Sequence, residues 1–522
     1  MGDRHIGARV AANDLCYKPL SMANGWPRHP LLYEINTRVW VRELSARAGR
    51  RLTLDTIPPE EVERIAGLGF DAVWLMGVWT TGLAAIRLAR TDAGLRVDYR
   101  RALPDLTDGD IIGSPYAVSR YQVSADLGGP AALASLRASF ATYGMRMMLD
   151  FVPNHTATDH ALLTESPHAY VRGSEDDIAR HPEAFFRTRG GLIIAHGRDP
   201  YFAPWQDTAQ VDYGHRPGRA GMLNQLQAIA LQCDGVRCDM AMLLLPDVIE
   251  RTWGDRIGGD WIRESFWTEA IPAVRERYPE FVFMAESYWD REWDLQHQGF
   301  DFTYDKVLYD RLHAGDAPGV RGHLGAEPAF RDRGARFLEN HDEPRAAAAF
   351  GVPDGFRPAL VTSLAPGLRL IHEGQLEGRR IRLPVQLGRR PEEPDDETVR
   401  AFYARVLAVL RDPTLHHGEF VPLDVRSSGE GDRSFDGLVA FGWREEGPDG
   451  GPCLVVVVNL RAEPAWARVP LAAVGFEAGR NYRLLDRMDG ATYRRTGDEV
   501  RDSGLFVALR PRQSHLFTVE AD

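Results

Sequence analysis

Gly235-Val236-Arg237-Cys238-Asp239 reads as a short strand that runs through an apolar interior and finishes on a carboxylate. The helical stretch 216–232 precedes it, so a helix feeds a strand. Three other stretches end in the same manner: Asp150-Phe151-Val152-Pro153-Asn154-His155, Phe283-Met284-Ala285-Glu286 and Leu338-Glu339-Asn340-His341-Asp342-Glu343. Working outward from these four, the candidate strands are 31–36, 72–76, 146–151, 235–239, 281–286, 300–304, 336–340 and 368–372. Helix-like stretches such as 59–67, 131–143 and 216–232 lie between them. Eight β-then-α units in sequence predict a closed parallel (β/α)8 TIM barrel. An open doubly wound sheet would often carry a Gly-rich phosphate turn after its first strand, and none follows Asn36. The four charged endings then fall on strands three, four, five and seven, at the rim where barrel enzymes hold their catalysts.

Two regions break the alternation. From His155 to about His215 the chain is rich in Gly, Pro, His and Asp with little periodicity, too long for a plain loop, and reads as an inserted domain after strand three. From about Gly418 short β runs at 438–443, 453–459, 482–485 and 514–519 predict a C-terminal all-β sandwich domain. The expected layout is a barrel over 1–154 and 215–416, an insertion over 155–214 and a β domain over 417–522. Residues 1–28 receive no role.

Composition narrows the class. Apolar residues are 44% and charged residues 26%, which excludes a disordered or fibrous chain. No run approaches the ~18 apolar residues of a membrane span, and the start leads into no apolar signal segment, so a cytoplasmic protein is expected. Cys16, Cys233, Cys238 and Cys453 are few and scattered, as free thiols in a reducing compartment are. The net charge of −12 and the lack of a basic stripe exclude nucleic acid as a partner. The 12 Trp, 16 Tyr and 22 Phe carry more weight, because flat rings are suited to sugar faces. Oligomeric state is not readable.

The four stretches resemble, in order and spacing, the four signature regions of the alpha-amylase family (glycoside hydrolase family thirteen). The resemblance extends over most of the chain. Tyr33-Glu34-Ile35 is similar to the family's first strand, and Gly113-Ser114-Pro115-Tyr116 to the stretch before strand three, whose Tyr stacks on the sugar at the cleavage site. Gln210-Val211-Asp212-Tyr213 is similar to the segment closing domain B, and Gly374-Gln375 to the motif after strand eight. The resemblance implies a retaining α-glycoside hydrolase with Asp239 as nucleophile and Glu286 as general acid/base. It implies Asp342 as the third acid, His155, His341 and Tyr116 as sugar-binding partners, and Asp150 as a supporting acid.

The residues agree with that reading. Glycosidic cleavage usually needs two carboxyl groups. Neighbouring strands lie ~4.8 Å apart, so acids ending strands four and five suit the separation of about 5–5.5 Å in retaining enzymes rather than the roughly 6.5–9.5 Å of inverting ones. Arg237 is two residues before Asp239, so both side chains face the same way. An Arg there favours the ionised carboxylate, whereas Glu286 needs drier surroundings to stay protonated.

There are departures from the family. Met242 and Leu243 stand where many amylases carry Lys and His, and Ala117 where many exo-acting glucosidases carry Asp. No cofactor is expected beyond calcium through Asn154, with Asp207 and Asp212 as further oxygen donors; the alternative is that Asn154 ties loops together by hydrogen bonds. Trp79, Trp205, Tyr288 and Trp289 are read either as cleft aromatics or as rim packing. Two other functions stay open: a transglycosylase on the same scaffold, and an inactive sugar-binding protein.

Overall fold

The computed structural model describes residues 25–257, 264–447 and 450–522; Cys16 and most of the 1–28 segment lie outside them. Eight parallel strands close a barrel: β1 Leu31–Asn36, β2 Ala72–Met76, β3 Arg146–Phe151, β4 Gly235–Cys238, β5 Val282–Ala285, β6 Phe302–Tyr304, β7 Gly334–Arg336 and β8 Leu368–His372. Each pairs with its neighbours in sequence, and β8 returns to β1 with Leu31 opposite Arg369.

Alternation along the strands sets what faces where. Tyr33, Ile35, Val73, Leu75, Leu149, Phe151, Val236, Cys238 and Phe283 pack outward into the large core shared with the helices. Leu32, Trp74, Met76, Met148, Met284, Phe302, Tyr304 and Leu370 fill the inside of the barrel. The inward parity, carried one step toward the C-terminal rim, arrives at Glu34, Asp150, Arg237, Asp239 and Glu286, all buried. Strand parity therefore turns an apolar core into a polar site within one or two residues.

Strand bounds depart from the sequence reading in one informative place. The seventh strand covers Gly334–Arg336 rather than 336–340, so the stretch Leu338–Glu343 follows the strand instead of ending it. The cause is its neighbour. β6 pairs Tyr304 with Ala335 and then stops, because Asp305 turns the chain and caps the helix Lys306–His313 by accepting the Leu308 N–H. Residues 337–340 have no ladder partner on that side.

The segment between β3 and β4 leaves and returns at one point. His155–Ala157 pairs antiparallel with Thr208–Gln210, and a hairpin of Phe185–Arg187 with Ile193–Ala195 forms its outer part. At the C-terminus, β9 Glu419–Pro422, β10 Leu438–Arg444, β11 Pro452–Asn459, β13 Asn481–Asp486, β14 Thr492–Thr496 and β16 Ser514–Ala521 form one antiparallel sheet. β12 Ala465–Val469 and β15 Leu505–Leu509 pair as a second sheet over one of its faces, sharing a core of Leu438, Val455, Ala467 and Val507. The other face of the large sheet, with Phe441, Trp443 and Val456, joins the barrel's outer core.

Candidate active site

At the C-terminal rim one buried arginine faces three acids. Arg237 is completely buried, its guanidinium carbon 5.4, 5.3 and 5.7 Å from the ring centres of Trp74, Tyr116 and Tyr304. Such an aromatic collar favours the charge and fixes the plane of the fork. Nη1 donates to Asp239 Oδ1 at 2.6 Å, while Nη2 lies 2.8 Å from Glu286 Oε2 and 3.9 Å from Asp342 Oδ2. The backbones are tied as well: the Asp239 N–H donates to Phe151 O, and the Glu286 N–H to Cys238 O. Asp239 and Glu286 thus continue the ladders of β4 and β5 just past their last paired residues.

The two carboxyls differ in surroundings. Burial pushes Glu286 up to about 7, against Arg237, and the charges of Asp239 and Asp342 add to the rise. Its Oε2 accepts the Met240 N–H at 2.6 Å and its Oε1 accepts the Tyr288 hydroxyl at 3.2 Å. Met240 presents that N–H from a left-handed backbone, φ 44°, a conformation that costs energy for a residue with a side chain and recurs at functional sites. An acid poised near neutrality beside an arginine-paired carboxylate is the division of labour that acid–base chemistry needs.

His341 lies flat against Tyr116, ring centres 5.5 Å apart, and its Nε2 is 2.7 Å from the Tyr116 hydroxyl and 2.9 Å from Asp342 Oδ2. Its Nδ1 meets Glu34 Oε1 at 2.5 Å. Burial opposes the imidazolium, but the Asp342 and Glu34 carboxylates outweigh it and raise His341 well above the usual range. Burial would likewise raise Asp342; its side chain is 43% exposed to the cleft, and His341 and Arg237 hold it down to about 2. Asp150 accepts from Trp74 Nε1 at 3.2 Å and from the Gly77 N–H at 3.1 Å, and burial lifts it to about 6. Gly77 is left-handed, φ 81°, and a Cβ there would press on Pro115 at 3.1 Å, so its glycine lets the Tyr116 loop approach.

The insertion supplies the other wall. His155 is buried at the start of its first strand, and burial lowers its pKa. Trp205 stands against it, ring centres 5.1 Å apart, so the insertion borders the rim from which His155 rises. Trp79 is packing: it is 1% exposed and donates to Asp150 O at 2.8 Å. Tyr288 joins the site through Glu286, and Trp289 meets Tyr201 of the insertion at 4.8 Å. Met242 and Leu243 are buried in the outer core, away from the cleft.

Asn154 is engaged with Gln210: its Oδ1 accepts Gln210 Nε2 at 3.0 Å and its Nδ2 donates to Gln210 Oε1 at 3.2 Å. Asp212 accepts the Gly214 N–H and pairs with His215. Among the described residues no group of three or more His, Cys, Asp or Glu side chains is placed to hold a metal. Asn154 and Asp212 are thus engaged by protein partners, while burial raises the Asp207 carboxyl.

Sequence reasoning brought together Asp239, Glu286, Asp342, Tyr116, Asp150, His155, Arg237 and His341, and all eight are placed around this rim. It passed over Glu34, Trp74 and Tyr304. Their signal was parity: each sits at the inward position of its strand, in step with Asp150 and Arg237.

No protein-family model matches the chain. It is 25% identical over 488 residues to the alpha-amylase MalA of Haloarcula japonica, covering 90% of this chain and 60% of that protein. The chain therefore spans about 60% of the length of that curated relative. In fold it is similar to a noncanonic maltogenic alpha-amylase AmyB from Thermotoga neapolitana (TM-score 0.64, 18% identity, 94% and 98% of the two chains). It is also similar to an alpha-amylase from Lactobacillus plantarum (TM-score 0.61, 21% identity, 94% and 99%). At these identities the two solved structures speak for the fold.

Proposed function

We propose that this chain, related to an alpha-amylase in sequence and to several in fold, is a retaining α-glycoside hydrolase acting on α-linked gluco-oligosaccharides. The observation that carries the proposal is Arg237, whose two guanidinium nitrogens hold Asp239 and Glu286 while burial keeps Glu286 near 7. Asp239 attacks the anomeric carbon as Glu286 protonates the departing oxygen, leaving a covalent glycosyl-enzyme. Glu286, now a carboxylate, takes a proton from the incoming water, which displaces Asp239 and restores both groups. Asp342 and His155 hold the hydroxyls of the reacting sugar, His341 orients Asp342 beside them, Tyr116 supports the sugar's face, and Asp150 braces the floor. The chemistry requires no metal. Cys233, Cys238 and Cys453 are free, which suits a reducing compartment and a cytoplasmic enzyme. Among the described residues no helix is long and apolar enough to cross a membrane.

The same intermediate passes to a sugar hydroxyl when one occupies the water's place, which makes transglycosylation the second reading. The aromatic pair Tyr201–Trp289, joined to the loop that follows Glu286, favours it as a surface for an acceptor sugar. Product chromatography decides between them. Purified protein incubated with maltooligosaccharides, sucrose, trehalose and α-glucosides, with and without added acceptor, is expected to release shorter gluco-oligosaccharides or glucose. Longer products that grow with acceptor would move the assignment to transfer, and no turnover of any α-glucoside would overturn the proposal.

A further inference from the structure

Glu34 is a carboxylate in the middle of an apolar strand, 0% exposed, and only one of its oxygens is used. Oε1 meets His341 Nδ1; Oε2 is buried without a hydrogen-bond partner. A buried carboxylate satisfied on one side is expensive, and an apolar side chain of similar volume would serve packing better. Its placement makes sense through the ring it touches.

We propose that Glu34 is a positioning residue that holds His341 as an imidazolium, so that the opposite ring nitrogen donates to Asp342 and to the Tyr116 hydroxyl. This inference rests on the proposed glycoside-cleaving role of the site. With both ring nitrogens protonated, Nε2–H points at Asp342 Oδ2 (2.9 Å) and at the Tyr116 oxygen (2.7 Å). Neutral His341 would keep its one proton on Nδ1, toward Glu34. Nε2 would then turn a lone pair on the Asp342 carboxylate, which would swing from the place where a sugar hydroxyl must be met. Glu34 thus acts on the substrate indirectly, through the His341 ring and the Asp342 carboxylate.

Other groups face this ring as well. Asp150 on β3 and His372 on β8 feel its charge, and Arg237 on β4 faces Asp342 beyond it. Tyr304 on β6 feels Glu34. Burial and Arg345 depress His372 to about 3, so it brings no competing positive charge. Tyr116 stays neutral, burial pushing its hydroxyl far up. Glu34 and Asp342 are the only groups among the described residues that meet the ring nitrogens as carboxylates.

The test uses the full chain with Glu34→Gln, which preserves shape and removes charge, and Glu34→Asp, which keeps charge but draws it back from Nδ1. Histidine ring carbons are labelled, His341 is assigned from the signal lost in His341→Gln, and its titration is followed by NMR without substrate. The wild-type ring is expected to stay protonated through neutral pH, and Glu34→Gln to shift its titration downward by more than one pH unit. On a maltooligosaccharide kcat is expected to fall by about tenfold to a hundredfold, with KM changed less. Glu34→Asp should recover part of both, and Glu34→Gln combined with His341→Gln should be no worse than His341→Gln alone. A His341 titration unchanged in Glu34→Gln, or losses that simply multiply in the double variant, would overturn the inference. If wild-type protein cleaves no glycoside, the proposed function fails while the titration arm still tests Glu34.

Discussion

Glu286 is pulled two ways, and the balance decides how the site works. Arg237 and the Met240 N–H both favour its carboxylate, yet burial and the charges of Asp239 and Asp342 hold it near 7. As the proposed general acid Glu286 must carry its proton when substrate binds, so the sign follows: activity is present below that value and is lost as pH rises through it. With a neutral maltooligosaccharide, kcat/KM is expected to decline about tenfold per pH unit above neutrality. A profile flat from pH 7 to 9 would assign the acid role elsewhere. At this scale the sequence was generous to residues at strand ends, since a charge closing an apolar run stands out. It hid Glu34, Trp74 and Tyr304, which lie inside runs where the only clue is which face they take.

Between elements, what positions the chemistry is often a loop shaped by its own side chains. In sequence the stretch Leu338–Glu343 reads as a strand end, but the Asn340 side chain accepts the N–H groups of both Asp342 and Glu343 at 2.9 Å, turning the chain where a strand would run on. A strand needs a neighbour, and sequence patterning says nothing of where that neighbour stops. The insertion is anchored in a similar way. His155 pairs with Gln210 in register, and the amide of Gln210 locks onto Asn154. Because this closure is made of amides and backbone, EDTA dialysis is expected to leave both the melting temperature and the activity of the enzyme unchanged. Loss of either on dialysis, restored by calcium and not by magnesium, would show a metal site that these residues do not reveal.

At the scale of the molecule, the barrel and its C-terminal β domain are one packed body. Trp443 of β10 is fully buried and donates to Leu364 O at 2.8 Å, and Arg357 reaches across to the carbonyls of Asn459 and Arg461 at 2.8 and 2.7 Å. Most of the barrel strands were legible because buried parallel strands are near-continuous apolar runs; the seventh, Gly-Ala-Arg at 334–336, has no such run and was placed too late. Four strands of the β domain, β9, β12, β14 and β15, were not legible. β14, Thr-Tyr-Arg-Arg-Thr, is an edge with little apolar signal, and the alternating Ala-Trp-Ala-Arg-Val of β12 buries only its small residues and Val469. In the proposed mechanism this scaffold serves two carboxylates, and their roles can be tested by the stereochemistry of rescue. Fluoride departs from an α-glucosyl fluoride with little acid help, so Glu286→Gln still forms a β-linked glycosyl-enzyme on Asp239, and added azide attacks its anomeric carbon from the α face and displaces the Asp239 carboxylate. Asp239→Gly forms no such intermediate, and azide enters once from the opposite face. NMR of the products is the decisive measurement: α-glucosyl azide from Glu286→Gln and β-glucosyl azide from Asp239→Gly are expected, and a β-azide from Glu286→Gln would contradict the account.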